Sequence, residues 1–260
     1  KTCVQVWVRI GRMKIVVTGA SGLLGRALVQ QLKEGGHEVV GTGLTRVKKG
    51  GLVSLDLEDE QAIKRLLSSE KPDIVVHAAA ERRPEECDAN PDKTKRINVD
   101  ATAAVAAAAH QNKAWLVYVS TEYVFDGERP PYAEGDAKNP PNLYGKTKSE
   151  GEEAAAQATG GDCAVLRVPV LYGPLEKIAE SSVTALAKLV FPRTKEGTKA
   201  DHWQIRHPTH VGDVSKAILG LCDARGKQGK AVKGIFHYSS PQSFTKYELT
   251  AMIADILGVD

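Results

Sequence analysis

The chain has 260 residues, 42% of them hydrophobic and 26% charged, with a formal net charge of +3. That length supports one substantial core, and a charge this small and dispersed argues against a nucleic-acid partner. No apolar stretch reaches membrane-span length, and no apolar run near the start leads into a small-residue cleavage site, so a cytoplasmic protein with no membrane partner is expected.

Residues 1–12, KTCVQVWVRIGR, alternate Val4, Val6, Val8 and Ile10, which suits an extra edge strand; Met13 could equally be a start site. This N-terminal extension is given no function. From Lys14 the chain alternates short β-branched runs with longer helical ones, the rhythm of parallel strands joined by helical crossovers. The expected strands are Lys14–Thr18, Glu38–Gly41, Gly51–Leu55, Ile74–His77, Trp115–Ser120 and Ala164–Val168. The alanine-rich stretch Asp100–Gln111 reads as a helix whose small side chains let it approach a sheet closely. Beyond Val168 the alternation loosens. The expected fold is α/β, a Rossmann-like doubly wound parallel sheet over residues 13–168, with 169–260 mainly forming a smaller C-terminal substrate-side lobe interleaved with the core. Cys3, Cys87, Cys163 and Cys222 lie far apart, without the short paired spacing of zinc or redox motifs, so reduced thiols and no metal are expected.

IVVTGASGLLGRAL, Ile15 to Leu28, sets Gly19, Gly22 and Gly25 between a strand and a helix. Such a turn brings backbone N–H groups and the positive helix end towards a phosphate, where side chains would block the approach. The spacing is GxxGxxG, and its place at the start of a βαβ series favours a dinucleotide over a tight turn with no ligand. An acid at the end of the second strand would bind the ribose of NAD and repel the 2′-phosphate of NADP. Here EVVGTGLTRVKKG has no acid after Glu38 and supplies Arg46, Lys48 and Lys49, so NADP is favoured, with Arg46 first choice for the phosphate. Asp56, just past the third strand, suits the adenine amino group, and a turn or cap role serves it equally well.

In NLYGKTKSEGEEA, Tyr144 and Lys148 stand four residues apart and share one helix face. An ammonium beside a phenol stabilises the phenolate and lowers its pKa, which makes a proton donor for a carbonyl under hydride attack. Thr121, just past the fifth strand, suits the hydroxyl that orients that carbonyl; Ser120 is its close competitor, and both hydroxyls could instead satisfy a turn. His202, His207 and His210 lack helical metal-site spacing and an acidic partner. Asp213 reads as an N-cap or first-turn acid.

The glycine loop, STEYVFDG and the YxxxK of YGKTK resemble the extended short-chain dehydrogenase/reductase family, and STEYVFDGERPPYAEGDAKNPPNLYGKTKSEGE is similar to dTDP-4-dehydrorhamnose reductases. HAAAERRPEECDANPDKTKRINVDA, AVLRVPVLYGPLEKIAESSVTAL and DHWQIRHPTHVGDV more narrowly resemble the regulatory beta subunits of methionine adenosyltransferase, non-catalytic NADP-binding relatives of those reductases. The resemblance implies that Gly19, Ser21, Gly22, Leu23, Leu24 and Gly25 form the pyrophosphate loop, Arg46 meets the 2′-phosphate, and Asp56 and Leu57 meet the adenine. It puts Ala78, Ala79, Ala80, Tyr144 and Lys148 at the nicotinamide ribose and Pro169 to Leu171 beside the nicotinamide. Glu81, Arg82 and Arg83 stand near the mouth of the site, and Arg206, Thr209 and His210 in the outer lobe.

Two functions follow. The first is an NADP-binding regulatory scaffold whose partner is a methionine adenosyltransferase catalytic subunit, serving S-adenosylmethionine synthesis. The alternative is a reductase of a nucleotide-linked keto-sugar, with Thr121, Tyr144 and Lys148 catalytic. Tyr144 and Lys148 also bind the cofactor ribose, so their presence fits both. Two departures stand out: Glu122 replaces the Asp of both groups, and a Pro- and Arg-rich segment that relatives carry is expected beyond Asp260.

Overall fold

The structure is a computed structural model and describes residues 11–47, 51–191 and 199–259. The chain runs β1 (Lys14–Thr18), α1 (Leu23–Glu34), β2 (Glu38–Gly43), β3 (Val53–Ser54), α2 (Glu60–Glu70) and β4 (Ile74–His77). Then come α3 (Pro84–Ala89), α4 (Pro91–Lys95), a π-helical turn (Arg96–Asp100), α5 (Ala101–Gln111), β5 (Trp115–Thr121), a 3₁₀ turn (Glu122–Val124), α6 (Leu143–Ala158) and β6 (Cys163–Val168). The last part holds β7 (Leu171–Tyr172), 3₁₀ turns at Ile178–Glu180 and Thr184–Leu186, α7 (Ala187–Val190), β8 (Thr209–His210), α8 (Val211–Gly226), β9 (Gly234–His237) and α9 (Lys246–Leu257).

The main sheet has the order β3-β2-β1-β4-β5-β6-β9, and every pairing is parallel. Its direction of growth reverses between β1 and β4, and in such sheets the crevice beyond the strand C-termini at that point takes ligands. Both faces are covered, which is why the strands read as continuous apolar runs. Alternate residues go to opposite faces: Ile15, Val17, Val76 and Val117 join Leu24, Leu28 and Leu32 of α1 and Val214 and Ile218 of α8. Val16, Val75, Leu116 and Tyr118 join Ile63 and Leu67 of α2 and Val105, Ala108 and Ala109 of α5. The buried alanines of α5 give the close helix-to-sheet contact expected of them, and the helix continues directly from the π turn.

The expected strands are present, with β2 running two residues further, to Gly43, β3 shorter, at Val53–Ser54, β5 taking in Thr121 as its last residue, and β6 starting one residue earlier, at Cys163. The sequence reading missed β9, which adds an edge to the main sheet, and the two-residue pair β7 and β8. α8 packs on α1, whereas α9 packs on α7 outside the sheet. His210 caps α8 by accepting from Gly212 N–H at 3.1 Å, and Asp213 is the acid of its first turn. Cys87, Cys163 and Cys222 are buried free thiols. The possible edge strand over Val4–Ile10, Cys3, and Lys48 and Lys49 lie outside the described residues. Among the described residues no helix is long and apolar enough to cross a membrane.

Candidate cofactor site

The glycine loop closes on itself where β1 ends. Gly19 has φ +71°, and a Cβ there would stand 2.8 Å from the Ala79 N and Cα atoms, so this position needs both the left-handed backbone and the missing side chain. Gly22 N–H donates to Gly19 O at 2.9 Å. A Cβ on Gly25 would meet Ala20 Cα at 2.7 Å, so the glycine lets α1 sit directly on the loop. Gly22 is the helix N-cap, no side chain caps it, and no acid lies in the first turn. Leu23 and Leu24 bury their side chains in the core while their amides remain among the orphan donors of the helix start. Uncapped amides, a positive helix end and glycines at Gly19, Gly22 and Gly25 are what a pyrophosphate requires, so these residues fit a dinucleotide.

Arg46 follows β2, as the sequence suggests, but it is an ion-paired side chain. Its Nη1 donates to Glu180 Oε1 at 2.5 Å and lies 3.5 Å from Glu176 Oε2. Glu180, which the sequence reading did not single out, also accepts from Arg26 of α1 at 2.6 Å. Asp56 Oδ1 accepts from Glu58 N–H at 2.9 Å, a turn-forming bond, while Leu57 beside it is half-buried.

A buried hydrogen-bond chain ties the loop to the middle of the sheet. The Thr102 hydroxyl donates to Asn98 O at 2.8 Å, so its oxygen accepts from His77 Nε2–H at 3.1 Å. His77 Nδ1 is then the acceptor for the Thr18 hydroxyl at 2.7 Å. Burial, with the Lys148 charge, drives the His77 imidazole down to about 3, so it is neutral. Asn98, inside the π turn, accepts from Glu81 N–H and donates to Glu81 O, both at 2.9 Å, and donates to the Thr147 hydroxyl of α6 at 3.1 Å. Ala78, Ala79 and Ala80 are thus held between two anchored points, half-buried at the crevice. Glu81 turns its carboxylate back onto the Arg82 and Arg83 amides at 3.1 and 3.2 Å and lies 3.5 Å from Arg83 Nε; both arginines are exposed.

Asn142 starts α6 by accepting from Gly145 N–H at 2.8 Å, and this cap sets Tyr144 and Lys148 on the helix. Lys148 is 2% exposed; Nζ donates to Val119 O at 2.8 Å and lies 4.0 Å from the centre of the Tyr118 ring. Burial lowers its pKa to about 7, against the pull of Glu152. Tyr144 does not have the depressed pKa that the sequence reading expects. Burial pushes its phenol up to about 12, opposed by a hydrogen bond with Thr121 and by the Arg82 charge. The Thr121 hydroxyl also accepts from Tyr123 N–H at 3.2 Å. Its competitor Ser120 is committed elsewhere, donating to Glu152 Oε1 at 2.6 Å. Glu152 in turn makes a two-pronged buried pair with Arg167 at 2.9 and 2.8 Å, another feature the sequence reading missed.

Pro169 is buried and Leu171 half-buried just past β6, opposite Thr121 at the end of β5. Arg206 brings the outer lobe in, stacking 5.4 Å from the Tyr123 ring centre. Glu122 is half-buried beneath it; burial raises its carboxyl above the usual range, opposed by Arg206 and His207. The three histidines are structural: His202 pairs with Thr245, His207 with Ser240 O, and His210 caps α8. Among the described residues no three metal-ligating side chains come together.

The RmlD substrate-binding-domain model matches residues 13–260. The chain belongs to the RmlD family. A family relative, methionine adenosyltransferase 2 subunit beta of Xenopus tropicalis, is 45% identical over 257 residues, covering 98% of this chain and 75% of that protein. Solved structures of dTDP-4-dehydrorhamnose reductases are similar over most of the chain. A dTDP-4-dehydrorhamnose reductase from Clostridium acetobutylicum has a TM-score of 0.81 at 31% identity, covering 95% of this chain and 81% of that one. The same enzyme from Bacillus anthracis, solved in complex with NADP, has a TM-score of 0.81 at 25% identity, covering 96% and 82%.

Proposed function

We infer that the chain is an NADP-binding regulatory subunit of the methionine adenosyltransferase beta type, whose partner is the catalytic subunit of that enzyme. The observation that carries the reading is the 45% identity to such a subunit over nearly the whole chain. The site supports it: the uncapped start of α1, the glycine loop and the basic run after β2 suit NADP, with Gly19 to Gly25 on the pyrophosphate and Arg46 on the 2′-phosphate. Tyr144 and Lys148 then serve the ribose, Ala78 to Ala80 its surroundings, and Pro169 and Leu171 the nicotinamide.

A second reading, an NADPH-dependent keto-sugar reductase, is favoured by the Thr121 hydroxyl at the Tyr144 phenol. In that reading NADPH supplies the hydride, Tyr144 gives its proton to the substrate oxygen and Thr121 orients that oxygen. A phenol raised to about 12 is a weak proton source at neutral pH, which weighs against it. Calorimetric titration tests the cofactor assignment. NADP should bind more tightly than NAD, and Arg46→Ala should remove a charge-assisted bond of roughly 1.5–3 kcal/mol, one to two decades of that preference. Equal affinities in the parent chain refute the assignment.

A further inference from the structure

Glu180 is 8% exposed, yet it lies between two guanidinium groups from different parts of the proposed cofactor site. Its Oε2 accepts from Arg26 Nη2 at 2.6 Å and from Glu176 N–H at 3.0 Å. Its Oε1 accepts from Arg26 Nη1 at 3.2 Å and from Arg46 Nη1 at 2.5 Å. Arg26 is fixed independently, since Nη1 also donates to Ser21 O of the glycine loop at 2.9 Å. Among the described residues Arg46 has no backbone anchor of that kind; its other partner is the exposed Glu176 carboxylate at 3.5 Å, and its side chain is 41% exposed. The 3₁₀ turn that ends at Glu180 thus joins the start of α1 to the end of β2 through one carboxylate. The Arg26 hydrogen bond, first among several contacts, holds that carboxyl down at about 2, so it is charged at every physiological pH.

We propose that Glu180 stands in for the 2′-phosphate in the cofactor-free protein: it holds Arg46 until NADP takes that guanidinium, and it thereby sets how strongly the site prefers NADP to NAD. This rests on the reading of Arg46 given under Proposed function. A phosphate carries more charge than a carboxylate and offers more acceptor oxygens, so it displaces Glu180 from Arg46, while Arg26 retains the carboxylate. NAD has no 2′-phosphate and leaves the Arg46–Glu180 pair intact. Glu180 therefore opposes NADP alone. Glu176, 3.5 Å from the same Arg46 nitrogen and more exposed, opposes it in the same sense and less strongly.

The test is a set of calorimetric titrations of the parent, Glu180→Gln, Glu176→Gln, Arg46→Ala and the double variant Arg46→Ala/Glu180→Gln with NADP and with NAD. Glu180→Gln should raise the NADP-to-NAD affinity ratio about three- to ten-fold, and Glu176→Gln about two-fold, with NAD affinity unchanged. In the Arg46→Ala background, Glu180→Gln should leave the ratio where it was. A ratio that falls or stays constant in Glu180→Gln, while Arg46→Ala lowers it, overturns this proposal and leaves the cofactor reading intact. A ratio unaffected by Arg46→Ala refutes the 2′-phosphate role of Arg46, and equal NADP and NAD affinities in the parent refute the cofactor reading itself. Should Glu180→Gln fail to fold, Glu176→Gln decides the matter, and an unchanged ratio there overturns the proposal.

Discussion

Lys148 carries a cost that depends on pH, and removing it should show that cost directly. The side chain is buried and its pKa is lowered from 10.5 to about 7. A lysine whose folded pKa lies below its unfolded value weakens the fold wherever it must stay charged, fully below the folded pKa, and the penalty fades as pH rises towards the unfolded value. The stability of the chain should therefore rise with pH above 7, approaching about 1.4 kcal/mol per pH unit from this group, or roughly 2.3 kcal/mol between pH 7 and pH 9. Lys148→Met removes the titrating group. It also loses the bond to Val119 O, at a pH-independent cost of about 1 kcal/mol. Urea unfolding of parent and variant at pH 7 and pH 9 separates the two effects. At pH 7 the variant should be the more stable of the two, and between pH 7 and pH 9 the parent should gain on it by that roughly 2.3 kcal/mol. An identical pH dependence in both chains refutes the assignment of a buried, readily neutralised Lys148. The same logic predicts proton uptake on NADP binding near pH 8, because the cofactor's charge and ribose oxygens favour the ammonium. That uptake should vanish in Lys148→Met.

Glu152→Ala leaves the Arg167 guanidinium buried without its partner and should cost roughly 3–5 kcal/mol in urea unfolding, whereas replacing both residues with methionine should cost much less. Gly25→Ala drives a Cβ into the Ala20 backbone; it should destabilise the chain by roughly 1–3 kcal/mol and weaken NADP binding more than tenfold by calorimetry. Tyr144→Phe removes one hydroxyl and should leave NADP affinity within a few-fold of the parent, while Lys148→Met weakens it more. A loss above tenfold in Tyr144→Phe contradicts the role given to that phenol.

The sheet was legible because buried parallel strands are apolar on both faces, and Ile15 to Thr18, Ile74 to His77 and Trp115 to Ser120 announce themselves as such. β9 did not: GIFH is an edge strand with Ile235 36% exposed, set among polar residues, so it lacks that signature. The glycine loop and the Tyr144–Lys148 spacing were readable because their geometry is local. What Lys148 touches was not, since the Val119 carbonyl is brought to it by the packing of α6 on β5. The role of Asn98 depends on a π turn that no residue of RINVD signals, and Glu180 meets Arg26 across 154 residues of chain. Arg46 follows β2 as the basic run suggests, but its carboxylate partner comes from beyond β7 and could not be inferred from that run alone.

The central claim is most directly tested by sedimentation velocity of the chain mixed with a methionine adenosyltransferase catalytic subunit, with and without NADP. The account predicts a faster-moving complex containing both proteins, and any gain in partner affinity from NADP must be matched by an equal gain in NADP affinity from the partner. Two folded proteins that sediment independently at micromolar concentration, with NADP saturating, contradict the regulatory-subunit reading.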